Sequence, residues 1–304
     1  MAKSKLWLLL SILVTIVAIA LGSCAGPGNK SANAPRALAP KELRPLTPAP
    51  RLALVLGNGG PRGFAHIGVL KALDDAGIKP DLIVGTSVGS LIGSLYAAGM
   101  SGRELEALAA NISMRDFAAM SWLPPFKPKL DPLRAIVNER IEAKLSQRLF
   151  ERLPTKLAVV ALRERDKTVV NFLDGEVGLA VQASCSIGRV FAPVSIGSER
   201  FLDADTFSPL PASIARALGA TRVIAVDVTA LESSEPAGVS DEWKVRDRAR
   251  RAAAAREYAN IDLLIHPDIG YYAPHTPPQI QRAIAIGEQA ARAALEKARL
   301  TNNQ

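Results

Sequence analysis

The sequence predicts an α/β fold around a mostly parallel sheet, and three observations carry that prediction. Short apolar runs bounded by Gly or Pro alternate with stretches whose apolar residues recur at helical spacing. Those runs are apolar throughout, as expected of strands covered on both faces. Strand, helix, strand, helix in that order also calls for right-handed crossovers in a parallel sheet.

At the N-terminus, Lys3 and Lys5 precede an uncharged apolar run from Leu6 to Leu21, the layout of an export signal. The run is short for a membrane span of about 20 residues. It ends in Leu21, Gly22, Ser23 and Cys24, which resembles a bacterial lipobox. Residues 1–23 therefore read as a lipoprotein signal peptide and Cys24 as the lipidated first residue of the mature chain. Residues 24–50 are rich in Pro, Ala, Asn, Ser and Lys without an apolar period, and read as a flexible tether. The folded domain is expected over 51–304.

That domain opens with a strand at Leu52 to Leu56, between Pro50 and Gly57. A helix follows, with Phe64, Ile67, Leu70 and Leu73 on one stripe and Gly77 at its stop. Leu82 to Val84 reads as the next strand and Val88 to Ala98 as the next helix. Further strands are expected at Leu157 to Ala161, Thr168 to Phe172, Arg222 to Asp227 and Ile261 to Ile265. Helices are expected near Glu176 to Ser184, Pro211 to Leu218 and Pro278 to Leu300. The stretch from Ser101 to Pro154 reads as mostly helical, interrupted by Trp122, Leu123, Pro124, Pro125, Phe126, Lys127 and Lys129. Glu232 to Asn260 reads as less regular, with an Arg- and Ala-rich segment from Arg246 to Arg256.

Composition narrows the partners. At 304 residues with 48% hydrophobic content, the chain can bury a sizeable core. The net charge is +8, and loss of Lys3 and Lys5 with the signal leaves +6. A basic chain suits an anionic membrane surface or nucleic acid. The cations are scattered, aromatics are 5%, and an exported chain rarely meets nucleic acid, so no nucleic-acid partner is expected. With two cysteines, acylation of Cys24 leaves Cys185 unpaired, which removes any disulfide framework. Cys185 reads as a buried small hydrophobe.

Gly85, Thr86, Ser87, Val88 and Gly89 form G-x-S-x-G at a strand-to-helix junction. That turn forces a serine into a strained, exposed position over a helix N-terminus, where helix amides favour negative charge. Gly57, Asn58, Gly59, Gly60, Pro61, Arg62 and Gly63 lie between the first strand and first helix. A Gly-rich turn there cradles either a nucleotide phosphate or an oxyanion. The Walker pattern is absent and the second strand ends in a serine elbow, so the oxyanion hole is the favoured reading.

These residues resemble the patatin-like phospholipases, whose opening couples a Gly-Gly-Gly-x-Arg-Gly loop to a serine elbow. Leu56 to Leu73, the elbow Gly85 to Gly89, Ala183 to Val194 and Phe201 to Pro211 fall in the family's order. The resemblance runs from about Leu52 to Ala293. It implies a three-layer αβα sandwich with a mostly parallel central sheet, and a Ser-Asp dyad of Ser87 and Asp203. It places Gly59, Gly60, Arg62 and Gly63 in the oxyanion motif and Gly85 and Gly89 in the elbow. Two blocks depart from the pattern, at three positions. Asn58 stands for the first glycine of the triple, and Asp203, Ala204, Asp205 stands for the usual Asp-Gly-Gly turn. A Cβ at Ala204 is expected to cost on the order of 1 kcal/mol and reorient the carboxylate. Asp205 is a second candidate base, otherwise a solvated turn residue, and register favours Asp203.

The implied activity is hydrolysis of a phospholipid or lysophospholipid ester without metal or cofactor. Trp122 and Phe126, beside Lys127 and Lys129, suggest contact with the bilayer face. The expected location is the periplasmic face of a bacterial membrane, the outer rather than the inner, since Ala25 and Gly26 follow Cys24. Two rivals stand. One is a nonenzymatic scaffold that keeps the fold. The other is an α/β-hydrolase whose Ser87, Asp203 and His266 occur in triad order.

Overall fold

The structure is a computed structural model that describes residues 38–111, 129–235, 238–271 and 274–302. The signal peptide, Cys24, Trp122, Phe126 and Lys127 lie outside the described residues. Strand β1 (Leu52–Leu56) shows why an all-apolar run suits this sheet: Leu54 and Leu56 enter the core on one face, Ala53 and Val55 the core on the other. Strands β2 (Leu82–Thr86) and β3 (Lys156–Arg163) divide in the same way. A single polar residue facing either side would be buried without water, so the run stays apolar.

The remaining strands are β4 (Val169–Phe172), β5 (Val194–Ile196), β6 (Glu199–Leu202), β7 (Arg222–Val226) and β8 (Leu263–Ile265). They form one sheet in the order β5-β6-β3-β2-β1-β7-β8, with β4 also on β3. Pairs β1–β2, β1–β7, β2–β3 and β7–β8 are parallel, while β4, β5 and β6 add antiparallel pairs. The larger core lies under α1 (Phe64–Asp75), α2 (Val88–Ala97), α3 (Gly102–Ala110), α4 (Asp131–Leu145), α5 (Val177–Cys185) and α8 (Pro277–Asn302). The opposite core is smaller, because α6 (Ala212–Ala217) and α7 (Asp241–Glu257) meet Ala53, Ala158 and Ala225 there. The result is the expected three-layer αβα sandwich.

Three readings of the sequence need correction. The hairpin β5–β6 was not expected, because three- and four-residue strands are too short for alternation to register. The stretch read as less regular contains α7, seventeen residues long. Its inward residues include Asp247 and Arg250, so its buried face carries no apolar period. Finally, residues 38–50, read as tether, lie on the domain. The Lys41 amide donates to Asn171 O at 2.8 Å, the Leu46 amide to Leu218 O at 3.0 Å, and Lys41 pairs with Asp174 at 2.7 Å. Among the described residues no helix is long and apolar enough to cross a membrane.

Candidate active site

The parallel strands switch direction of connection at β1, which lies between β2 and β7. Crevices form at the carboxyl ends of such strands. The Gly-rich loop leaves β1 there and the serine elbow leaves β2 beside it. Gly85 packs against the elbow, where a Cβ would lie 2.6 Å from Gly89 O. At Gly89 a Cβ would overlap the Leu56 carbonyl, so the start of α2 can rest on the end of β1 only through glycine. Gly63 likewise faces the Val88 side chain.

Ser87 takes φ 56° and ψ −127°, a left-handed conformation that costs on the order of 1–3 kcal/mol. Its neighbours hold it there. The Ser87 amide donates to Ser184 Oγ at 2.8 Å, and Ser184 Oγ donates to Val160 O at 2.6 Å. Ser90 Oγ donates to Ser87 O at 2.6 Å. Contrary to the sequence expectation, Ser87 is not exposed: only 5% of it meets solvent, and it lines a pocket of about 200 Å³. Leu91, Ile92, Leu105, Leu133 and Phe191 also line that pocket, as do Gly60 and Pro61 of the Gly-rich loop.

Asp203 follows β6, and its amide donates to Ser186 O at 3.0 Å, which ties the turn to the end of α5. Its carboxylate accepts from the Asp205 amide at 2.8 Å. Burial raises the Asp203 carboxyl to about 6, against the nearby Ser87 hydroxyl, the Asp205 amide and Arg250, which favour the charged form. The same burial, with Asp203 nearby, pushes the Cys185 thiol well above its ordinary range; Cys185 lines the pocket.

The loop supplies two backbone donors. The Gly59 and Gly60 amides find no acceptor among the described residues, whereas the Gly57 and Asn58 amides are bound to Val226 O and Pro209 O. Arg62 does not face the pocket. It is buried beneath the loop, with Nη1 3.4 Å from Tyr271 O and its pKa lowered by burial and by Arg250. A direct role at the oxyanion or at a phosphate does not fit that orientation. The strain expected at Ala204 is also displaced: Ala204 is fully buried at negative φ, and Asp205 carries the positive φ of 33°. Asp visits that region more readily than most residues. Nor is Asp205 solvated, because Arg246 and Arg250 hold its carboxylate. With both oxygens engaged, it is not free to serve as base.

The histidines lie elsewhere. His66 turns Nε2 to Gly57 O at 2.9 Å, and burial lowers it to about 4, so it stays neutral. His266 turns Nε2 to Thr229 O at 2.9 Å. His275 is exposed ahead of α8.

Comparisons with known proteins show the family and the fold. A family model described as Patatin-like phospholipase matches residues 54–216, more than half of the chain. Mouse patatin-like phospholipase domain-containing protein 6 is 33% identical over 201 residues, covering 60% of this chain and 14% of the relative. An uncharacterized NTE family protein of Mycobacterium tuberculosis is 28% identical over 277 residues, covering 81% of this chain. The chain spans 46% of that relative's length, so less than half of either. The crystal structure of VipD from Legionella pneumophila superposes with TM-score 0.61 at 16% identity, over 89% of this chain and 72% of that one, a likeness of fold.

Proposed function

The chain belongs to the patatin-like phospholipase family, and from that premise we propose that it is a serine acyl hydrolase acting on membrane lipid esters through a Ser87–Asp203 dyad. One observation carries the reading: Ser87, near enough to Asp203 to favour its charged form, lines an apolar pocket suited to an acyl chain. Asp203 takes the Ser87 proton as Oγ attacks the ester carbonyl carbon. The Gly59 and Gly60 amides receive the charge that forms on the carbonyl oxygen. The tetrahedral intermediate then expels the alcohol, which takes the proton back from Asp203. Water, deprotonated by the same carboxylate, attacks the acyl-serine carbonyl, and Ser87 Oγ leaves as the proton returns to it from Asp203.

A base raised to about 6 is matched to this work. It is ionised near neutral pH, yet basic enough to draw on a hydroxyl proton. The substrate we propose is a phospholipid or lysophospholipid, met at a bacterial membrane to which lipidated Cys24 anchors the chain on its periplasmic face. Labelling with a fluorophosphonate probe tests the chemistry. Wild type should label at Ser87 and hydrolyse esters, and Ser87→Ala should do neither while staying folded, since loss of a nucleophile costs up to roughly a millionfold. Unchanged hydrolysis by purified Ser87→Ala would refute the dyad.

A further inference from the structure

Helix α7 reaches the base turn through two arginines. Arg246 Nε donates to Asp205 Oδ2 at 2.8 Å, and its Nη2 lies 2.7 Å from the same oxygen in an ion pair. Arg250 Nη2 and Nε donate to Asp205 Oδ1 at 2.6 and 3.2 Å. Arg250 Nη1 also donates to Asp247 Oδ1 at 2.9 Å, and the Tyr271 hydroxyl donates to Asp247 Oδ2. The Tyr271 carbonyl faces Arg62 Nη1, and Asn58 Nδ2 donates to Asp205 O at 2.8 Å. The contacts form a closed circuit through the Gly-rich loop, the base turn, α7 and the segment after β8.

Two of the three positions that depart from the family pattern, Asn58 and Asp205, are thus bonded to each other. A glycine at 58 would offer Asp205 no side-chain donor, and a glycine at 205 would offer the arginines no carboxylate. Burial opposes ionisation of Asp205, yet Arg250 and Arg246 hold it below the usual carboxylate range, so the pair is charged and fixed. Taking Ser87 and Asp203 as the hydrolytic dyad, we infer that α7 is a positioning element of the active site: Arg246 and Arg250 hold Asp205, and through its backbone and Asn58 set the distance between base and oxyanion amides. The departures then form one matched substitution rather than two losses.

The electrostatic consequence separates positioning from mere support. The groups facing Asp203 are Ser87, Cys185, Asp205 and Arg250. Of these, Asp205 disfavours its ionisation and Arg250 favours it. Removing either charge should move the base in opposite directions.

The test measures kcat/KM of the full chain on a soluble short-chain nitrophenyl ester from about pH 5 to about pH 9, with Ser87→Ala as control. Arg250→Gln should lose about tenfold or more and move the acid limb up by about one pH unit. Asp205→Asn, which frees both arginines from the base turn, should also lose about tenfold or more near neutral pH but move the limb down by a similar amount. Adding Asp205→Asn to Arg250→Gln should return the limb toward wild type while the rate stays low. Arg246→Gln, at a less buried site, should follow Arg250→Gln and serves if the latter does not fold. An acid limb unmoved in both arginine variants, or wild-type rates in Arg250→Gln and Asp205→Asn alike, overturns the inference. Should the wild type show no Ser87-dependent turnover, the dyad reading fails by itself. The inference is then decided by carbon NMR titration of the Asp203 carboxyl, which must still shift in opposite directions in the two variants.

Discussion

Asp203→Asn should stabilise the protein while destroying its activity. The folded carboxyl titrates near 6, raised from 3.8 by burial. Two pKa units correspond to about 3 kcal/mol of unfavourable interaction with the charged form. Between those two pKa values the native state binds more protons than the unfolded chain, so stability falls as pH rises through that window. Above about pH 6 the penalty is present in full, and below about pH 4 it is absent. Asn removes the charge and keeps an oxygen for the Asp205 amide. The variant should therefore melt about 6–12 °C above wild type at pH 8, at about 2–4 °C per kcal/mol for a domain of this size. Calorimetry of both proteins at pH 4.5 and pH 8 should show the gap open only at the higher value. In parallel, wild-type kcat/KM should rise with pH through a midpoint near 6. A variant that melts below wild type at pH 8, or an equal gap at both values, would refute the account of a buried, disfavoured base.

Three further outcomes follow from the same geometry. His266→Ala should keep at least about a tenth of wild-type kcat, because its ring bonds Thr229 O, whereas a triad histidine would cost several orders of magnitude; a folded variant as inactive as Ser87→Ala would restore the triad. Leu133→Trp should fill the pocket wall and shift preference toward shorter acyl esters, read as a changed ratio of kcat/KM for long- and short-chain esters; an unchanged ratio would place the acyl chain elsewhere. Cys24→Ser should abolish acylation and signal cleavage, so mass spectrometry showing the same unacylated N-terminus in both proteins would exclude lipidation.

Much of the site was legible because its parts are local. The elbow serine needs a strand, a tight turn and a helix within a few residues, and Gly85 and Gly89 mark the close approach that permits it. The same holds for β1, where an unbroken apolar run signals cover on both faces. The Gly-rich loop was legible for a similar reason, since its free amides follow from where it leaves the sheet. What sequence reasoning misjudged was orientation. Arg62 sits in the oxyanion motif, yet its side chain turns under the loop, because Asp247, Tyr271 and Asp227 lie there.

By itself, then, the sequence determined the layer order, the serine elbow and the Gly-rich loop beside it, since each depends on residues near one another along the chain and on apolar periodicity. The tertiary structure alone decided that Asp205 is an ion-paired anchor rather than a second base. Its partners Arg246 and Arg250 stand 41 and 45 residues away, on a helix that buries charge instead of hydrocarbon. Charge pairing of that kind has no sequence period, because a carboxylate selects its guanidinium by position in space and the intervening chain only has to be long enough to return.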